Sequence, residues 1–243
     1  VLLATEGHSD AKVVWALWTR IAGDRDEACG AEPGEAWLPL RRARDLAHAR
    51  GFRRQGKFDG VPGAHDARLA AAVLFLLHGP GNEARLDALL FIRDLDDQPS
   101  RKLGFQQALD ASPRASERTI VAGWPREAME AWVLCAWAPG ERGAAALRDV
   151  RRTLGYDPCL HPERMPHGRT AKEVIARLLE STAETVEQLF ESAEIEALSE
   201  RGATCGLSEL IRSIQRVAVD DPPEPPVPPQ YRQAGPSTRK NST

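Results

Sequence analysis

Two short apolar runs, each ending in acid, constrain this chain most: Val1-Leu2-Leu3-Ala4-Thr5-Glu6-Gly7 and Leu89-Leu90-Phe91-Ile92-Arg93-Asp94-Leu95-Asp96. Near-continuous apolar runs of this length read as parallel strands buried on both faces. In an open α/β sheet the carboxyl ends of the strands border the functional crevice, so Glu6, Asp94 and Asp96 are expected to converge there. Read as an extended segment, residues two apart point the same way. Asp94 and Asp96 are therefore expected to face one ion, with Glu6 arriving from the neighbouring strand. Clustered carboxylates repel one another and call for a cation. Hard oxygen donors with no cysteine or histidine beside them suit Mg²⁺ or Mn²⁺.

The rest of the chain reads as a mostly parallel sheet wrapped in helices. Asp10 opens a helix in which Val13, Val14, Leu17 and Ile21 recur at helical spacing, and Gly23 marks its end. Residues 24–35 form a loop, and Ala36-Trp37-Leu38-Pro39-Leu40 reads as a strand whose proline places it at a sheet edge. Ala70 to Leu77 is a buried helix with Asp66 near its start and Gly79 after its end. Residues 100–110 form a helix with Leu103 and Leu109 inward, Arg118 to Gly123 the next strand, and Glu127 to Leu134 the helix after it. Beyond Trp132, helical spacing covers 143–154, 169–180, 183–200 and 206–218. The expected organisation is an α/β core over 1–140 with an insertion around 24–87, a helical extension over 141–219, and a Pro-rich flexible tail over 220–243.

Glu6-Gly7-His8-Ser9-Asp10 after a first strand, with Asp94-Leu95-Asp96 after a later one, resembles the Toprim domain. That domain is shared by topoisomerases, primases, small RNA-maturing nucleases and the OLD nucleases. Trp124-Pro125, with Glu130-Ala131-Trp132 after a strand, is similar to a stand-alone Toprim-like group of bacterial proteins often encoded beside an ATPase. His161-Pro162-Glu163 and Ala171-Lys172 resemble that group's Asp-Pro-Glu and Pro-Lys segments, with histidine in place of aspartate and alanine in place of proline. The resemblance runs over roughly residues 1–180. It implies a Toprim-like, Rossmann-like fold, a metal-dependent nuclease, and a role with a separately encoded ATPase in anti-phage defence.

The candidate catalytic residues are Glu6, Asp94, Asp96 and Lys172, with Glu6 as ligand or general base and Lys172 as a compact cation for phosphoryl charge. Candidate metal ligands are Glu6, Asp94, Asp96 and, from the resemblance, Glu130. Asp10, Asp97 and Glu127 stand behind them, with Asp10 or Asp97 acting through water and Glu127 sharing a helix face with Glu130. A backbone contact for Glu130 and a plain surface role for Lys172 are the alternatives. His8 sits at the proposed crevice, where it can touch substrate.

Composition decides what holds the substrate. The chain carries 32 basic and 35 acidic residues, a formal charge of −3, so any nucleic-acid contact needs a local basic surface. That surface is Arg41 to Lys57, where Arg41, Arg42, Arg44, Arg50, Arg53, Arg54 and Lys57 face a single acid, Asp45. It reads either as a solvated helix face or as a track for phosphates, for which Arg41, Arg42, Arg50, Arg53, Arg54 and Lys57 are the candidates. The acid run Glu184, Glu187, Glu191, Glu194, Glu196 and Glu200 faces solvent or a basic partner.

Other classes are disfavoured. Cys29, Cys135, Cys159 and Cys205 are widely spaced, as in a reduced cytoplasmic protein, and with His161 and His167 they lack the spacing of a zinc finger or ribbon. The apolar start is short and without a basic leader, and no run approaches the roughly 20 apolar residues that span a bilayer. GxxxxGK[ST] and GxSxG are absent. Tyr156 and Tyr231 are the only tyrosines, which disfavours strand passage, and Trp15, Trp18, Trp124, Trp132 and Trp137 read as core. What remains is a Mg²⁺- or Mn²⁺-dependent nuclease for DNA or RNA, as a monomer or homo-oligomer. Its rival is a noncatalytic binding or regulatory subunit of the same fold, and a primase-like nucleotidyl transferase is a third reading.

Overall fold

The computed structural model describes residues 1–22, 37–53, 58, 60–78, 86, 88–140, 143–165 and 168–219. The 24–35 loop, Gly23, Ala36, Arg54, Lys57, Gly79, Cys29, His167 and the 220–243 tail lie outside them. Among the described residues an all-parallel sheet of four strands is flanked by ten α-helices, an α/β, Rossmann-like arrangement.

Strand β1 (Leu2–Thr5) is followed by helix α1 (His8–Ala22), which starts at His8 rather than Asp10. β2 (Trp37–Pro39) leads directly into α2 (Leu40–Ala49), and α3 (Ala64–His78) precedes β3 (Ala88–Ile92). α4 (Ser100–Ala111), β4 (Thr119–Gly123) and α5 (Met129–Ala136) complete the alternating part. The strand order is β2-β1-β3-β4, which puts Pro39 on an edge strand as its missing N–H requires. From β1 the chain steps one way to β2 and then crosses to β3 on the other side. The order reverses between β1 and β3, and that junction is where an open sheet leaves its crevice.

Side-chain alternation sorts the strands onto two cores. Leu3, Leu90, Ile92 and Val121 pack on one face with Val14 and Leu17 of α1 and with Trp132. Leu2, Ala4, Leu89 and Phe91 pack on the other with Ala70, Val73, Leu74 and Leu77 of α3 and Phe105 of α4. Each fully buried leucine contributes about 2 kcal/mol of apolar transfer. Trp18, Trp124, Trp132 and Trp137 are buried, as core residues should be, and Trp15 is partly covered.

The first core continues into α6 (Gly143–Leu154), α7 (Arg169–Thr182), α8 (Val186–Ser192), α9 (Ile195–Arg201) and α10 (Leu207–Val219). Leu147, Val174, Phe190, Leu198 and Ile211 belong to the same cluster as the sheet residues, so these helices complete the core.

Three expectations need correction. The helical pattern over 183–200 is two helices, because Ala193 is extended and its carbonyl, with that of Phe190, accepts from Arg20 Nη1 of α1. A cation on terminal carbonyls stabilises a helix end without glycine or proline to announce it. Leu103 points to solvent at 46% exposure, whereas Gly104, Phe105 and Ala108 face inward. The cause is a backbone contact: a Cβ on Gly104 would lie 2.3 Å from Gly63 O, so the two glycines set the rotation of α4 on α3. Finally, α5 begins at Met129 and leaves Glu127 in the preceding turn.

Candidate carboxylate site

The sheet positions Glu6 through part-buried hydrogen bonds beneath it. Thr5 is fully buried at the end of β1, and its hydroxyl accepts from Trp37 Nε1 at 2.9 Å and donates to Gly7 O at 2.7 Å. The Gly7 N–H donates to Asp10 Oδ2 at 2.8 Å, which ties the turn to the first turn of α1. A Cβ on Gly7 would stand 3.3 Å from that oxygen, so glycine permits the approach. His8 packs against Trp37, with ring centroids 4.8 Å apart.

Asp94 and Asp96 lie beyond β3, which ends at Ile92. The main chain still follows β4 for a few residues: Arg93 N–H donates to Gly123 O and Leu95 N–H to Pro125 O. It then turns sharply. Asp96 and Asp97 adopt φ of 43° and 56°, a left-handed pair that L residues rarely take. The extended geometry expected for Asp94 and Asp96 therefore fails at Asp96. Asp94 is half-buried at the crevice, while Asp96 and Asp97 are exposed. Arg101 Nη1 holds the turn, donating to Asp94 O at 2.5 Å and to Asp96 Oδ2 at 2.8 Å.

The electrostatics bring the carboxylates together. Burial, then repulsion from Glu6, Asp10, Asp96 and Glu130, pushes Asp94 up to about 8. Burial also lifts Asp10 to about 6, opposed by the Gly7 N–H and reinforced by Glu6 and Glu130, with Lys172 pulling the other way. Glu6 just after β1, Asp10 of α1, Asp94 just beyond β3 and Glu130 of α5 thus feel one another's charge near the β1–β3 junction. Lys172 of α7 reaches it too. Asp10, expected only behind the ligands, stands among them, and the spacing Gly7-x-x-Asp10 across a strand-to-helix turn was its signal.

Two arginines were not anticipated. Arg93 Nη1 lies 3.0 Å from Glu6 Oε1, and its Nε lies 2.6 Å from Oδ1 of Asp66, a buried acid at the start of α3. An acid buried in the first turn of an apolar helix needs a cation, and that was the sequence signal for Arg93. Arg101 does the same for the exposed Asp96.

The donor set fits a hard divalent cation: every candidate ligand is a carboxylate, and the raised Asp94 and Asp10 mark a place short of positive charge. Among the described residues no group of three or more His, Cys, Asp or Glu side chains is arranged to hold a metal ion, and Glu6 and Asp96 are each paired with an arginine.

Of the basic stretch, Arg41, Arg42 and Arg44 lie exposed on α2, and Arg50 and Arg53 are exposed just after it. Arg41 and Arg44 line a cleft of about 320 Å³ with Glu6, Leu40, His65, Leu69 and Arg93. Glu127 is half-buried before α5. In the acid run, Glu187 pairs with Lys12 at 2.6 Å. No helix among the described residues is long and apolar enough to cross a membrane. Set against protein-family models, curated proteins and solved structures, the chain matches none.

Proposed function

We propose that this chain is a Mg²⁺- or Mn²⁺-dependent nuclease that hydrolyses phosphodiesters of DNA or RNA. The observation that carries the reading is the gathering of Glu6, Asp10, Asp94 and Glu130 where the sheet's strand order reverses, with Asp94 and Asp10 held above the usual carboxylate range. Asp94, with Asp10 and Glu130 beside it and Glu6 and Asp96 released from their arginines, would hold the ion. A bound divalent cation supplies polarisation of a phosphoryl oxygen and a lowered pKa for water. Lys172, whose positive charge is felt at Asp10, would stabilise charge on the phosphoryl group. Arg41, Arg42, Arg50 and Arg53 offer the cations that a net-negative protein needs to hold a polyanion. By resemblance to the Toprim-like group, the chain is the effector subunit of an ATPase-coupled anti-phage complex in the cytoplasm.

The arginine pairs favour a second reading. Arg93 and Arg101 already neutralise Glu6 and Asp96, as a noncatalytic regulatory subunit of this fold would require. One assay separates the two: cleavage of single- and double-stranded DNA and of RNA, with Mg²⁺, Mn²⁺ or EDTA, by wild type and Asp94→Asn, each with and without the ATPase encoded beside it. Metal-dependent cleavage by wild type and its loss in Asp94→Asn support the nuclease. Equal metal-dependent products from both proteins would place the chemistry elsewhere, and no products under any condition leave the regulatory reading.

A further inference from the structure

The cleft between α2 and α3 combines features that the carboxylate cluster lacks. Arg41 and Arg44 are three residues apart on α2 and so share a face, and both are exposed. Among the described residues no carboxylate pairs with either one. His65, at the start of α3, adds ring nitrogens, and Arg93 adds a guanidinium whose acid partners are Glu6 and Asp66. Leu40 and Leu69 supply apolar wall. At about 320 Å³ the cleft is at the low end of the size of small-ligand sites, enough for one nucleotide unit and too small for a folded partner. Glu6 lines it as well, so an occupant of the cleft is next to the carboxylate cluster.

We infer that this cleft binds one nucleotide unit of a nucleic-acid strand, its phosphate on Arg41, Arg44 and His65 and its sugar and base against Leu40 and Leu69. The inference rests on the nuclease reading for its substrate class, and it adds the place where the strand is gripped. Each guanidinium is planar and presents paired N–H donors suited to phosphate oxygens. The strand then leaves the cleft past Glu6 toward Asp94. Arg44 and His65 become substrate-binding residues, and the phosphate competes with Glu6 for Arg93.

Binding measured in EDTA keeps this test separate from cleavage. Fluorescence anisotropy of a labelled single-stranded oligonucleotide is followed across a salt series for wild type, Arg41→Gln/Arg44→Gln, and Arg216→Gln on the exposed face of α10 as control. The double variant should bind roughly tenfold more weakly, and its slope of log affinity against log salt should fall by about 0.7 to 1, the loss of one phosphate contact. Arg216→Gln should match wild type. In parallel, a nucleoside 5′-monophosphate should shift the His65 ring resonances in wild type and not in the double variant, while the unphosphorylated nucleoside shifts them in neither. Wild-type affinity and salt slope in the double variant, an equal loss in Arg216→Gln, or equal shifts from the nucleoside would overturn the inference. If wild type cleaves nucleic acid and the double variant binds it normally, the cleft assignment alone fails. If the double variant loses binding while wild type cleaves nothing, the nuclease reading fails and the cleft stands.

Discussion

Replacing Asp94 with asparagine should alter how stability depends on pH more than it alters stability itself. In the fold, burial and four neighbouring acids push this carboxyl from its ordinary 3.8 to about 8. The folded chain therefore keeps a proton that the unfolded chain has released. The stability tied to that proton is full below pH 3.8 and is lost as the pH climbs through about 8, at ~1.4 kcal/mol per pH unit. Asp10 has lost most of its own contribution by about pH 6, and His78, lowered in the fold, works the other way only up to about pH 6.5, so most of the fall from pH 6 to pH 8 belongs to Asp94. Across it the wild type should lose on the order of 3 kcal/mol, and about half that if water enters as the group ionises. For a chain of this size the full loss is a fall in Tm of about 6–12 °C, and half of it about 3–6 °C. Asparagine cannot ionise, so the variant's Tm should stay nearly level over the same interval. Thermal denaturation in EDTA at half-unit pH steps reads both curves. Mg²⁺ added at pH 8 should raise the wild-type Tm, since a ligand that binds only the fold stabilises it, and should leave the variant unmoved. Parallel pH curves for the two proteins would refute the account of Asp94.

Further substitutions probe the supports of the site. Arg93→Gln leaves buried Asp66 without its cation and should cost about 3 kcal/mol in urea denaturation, with Asp66→Asn in the same chain restoring most of it; additive losses would contradict the pairing. Gly104→Ala drives a Cβ to 2.3 Å from Gly63 O and 2.8 Å from Ala67 N, so it should open α4 from α3 and cost roughly 2–3 kcal/mol. A wild-type Tm in that variant would mean the contact is not tight. Lys172→Gln should leave Mn²⁺ binding intact and slow metal-dependent cleavage about tenfold in kcat, and an unchanged kcat would return Lys172 to a surface role.

The strands were legible because buried parallel strands need unbroken apolar runs, and Pro39 announced the edge. The positions of Glu6 and Asp94 were legible for the same reason: each follows such a run just past the carboxyl end of a central strand. Asp96 was misread because the extended period stops at Ile92, and the left-handed turn at Asp96 and Asp97 carries no glycine to mark it. Asp66 signalled that a cation was needed but not which one, because the pairing depends on side-chain reach; Arg93 meets Asp66 and Glu6 from distant parts of the chain. Leu103 shows the limit of hydrophobic periodicity, since a glycine–glycine backbone contact, and not the leucine, chose the buried face of α4.

If the proposed site takes a divalent ion, the ion must displace the proton that Asp94 holds. Calorimetric titration of Mn²⁺ into the protein at pH 7, repeated in buffers of different ionisation enthalpy, counts both the ions bound and the protons released. With Asp94 titrating about 8, nearly one proton should leave per Mn²⁺ bound to wild type, and Asp94→Asn should show neither tight binding nor that release. Absence of Mn²⁺ binding to wild type, or binding with no proton released, would contradict the claim.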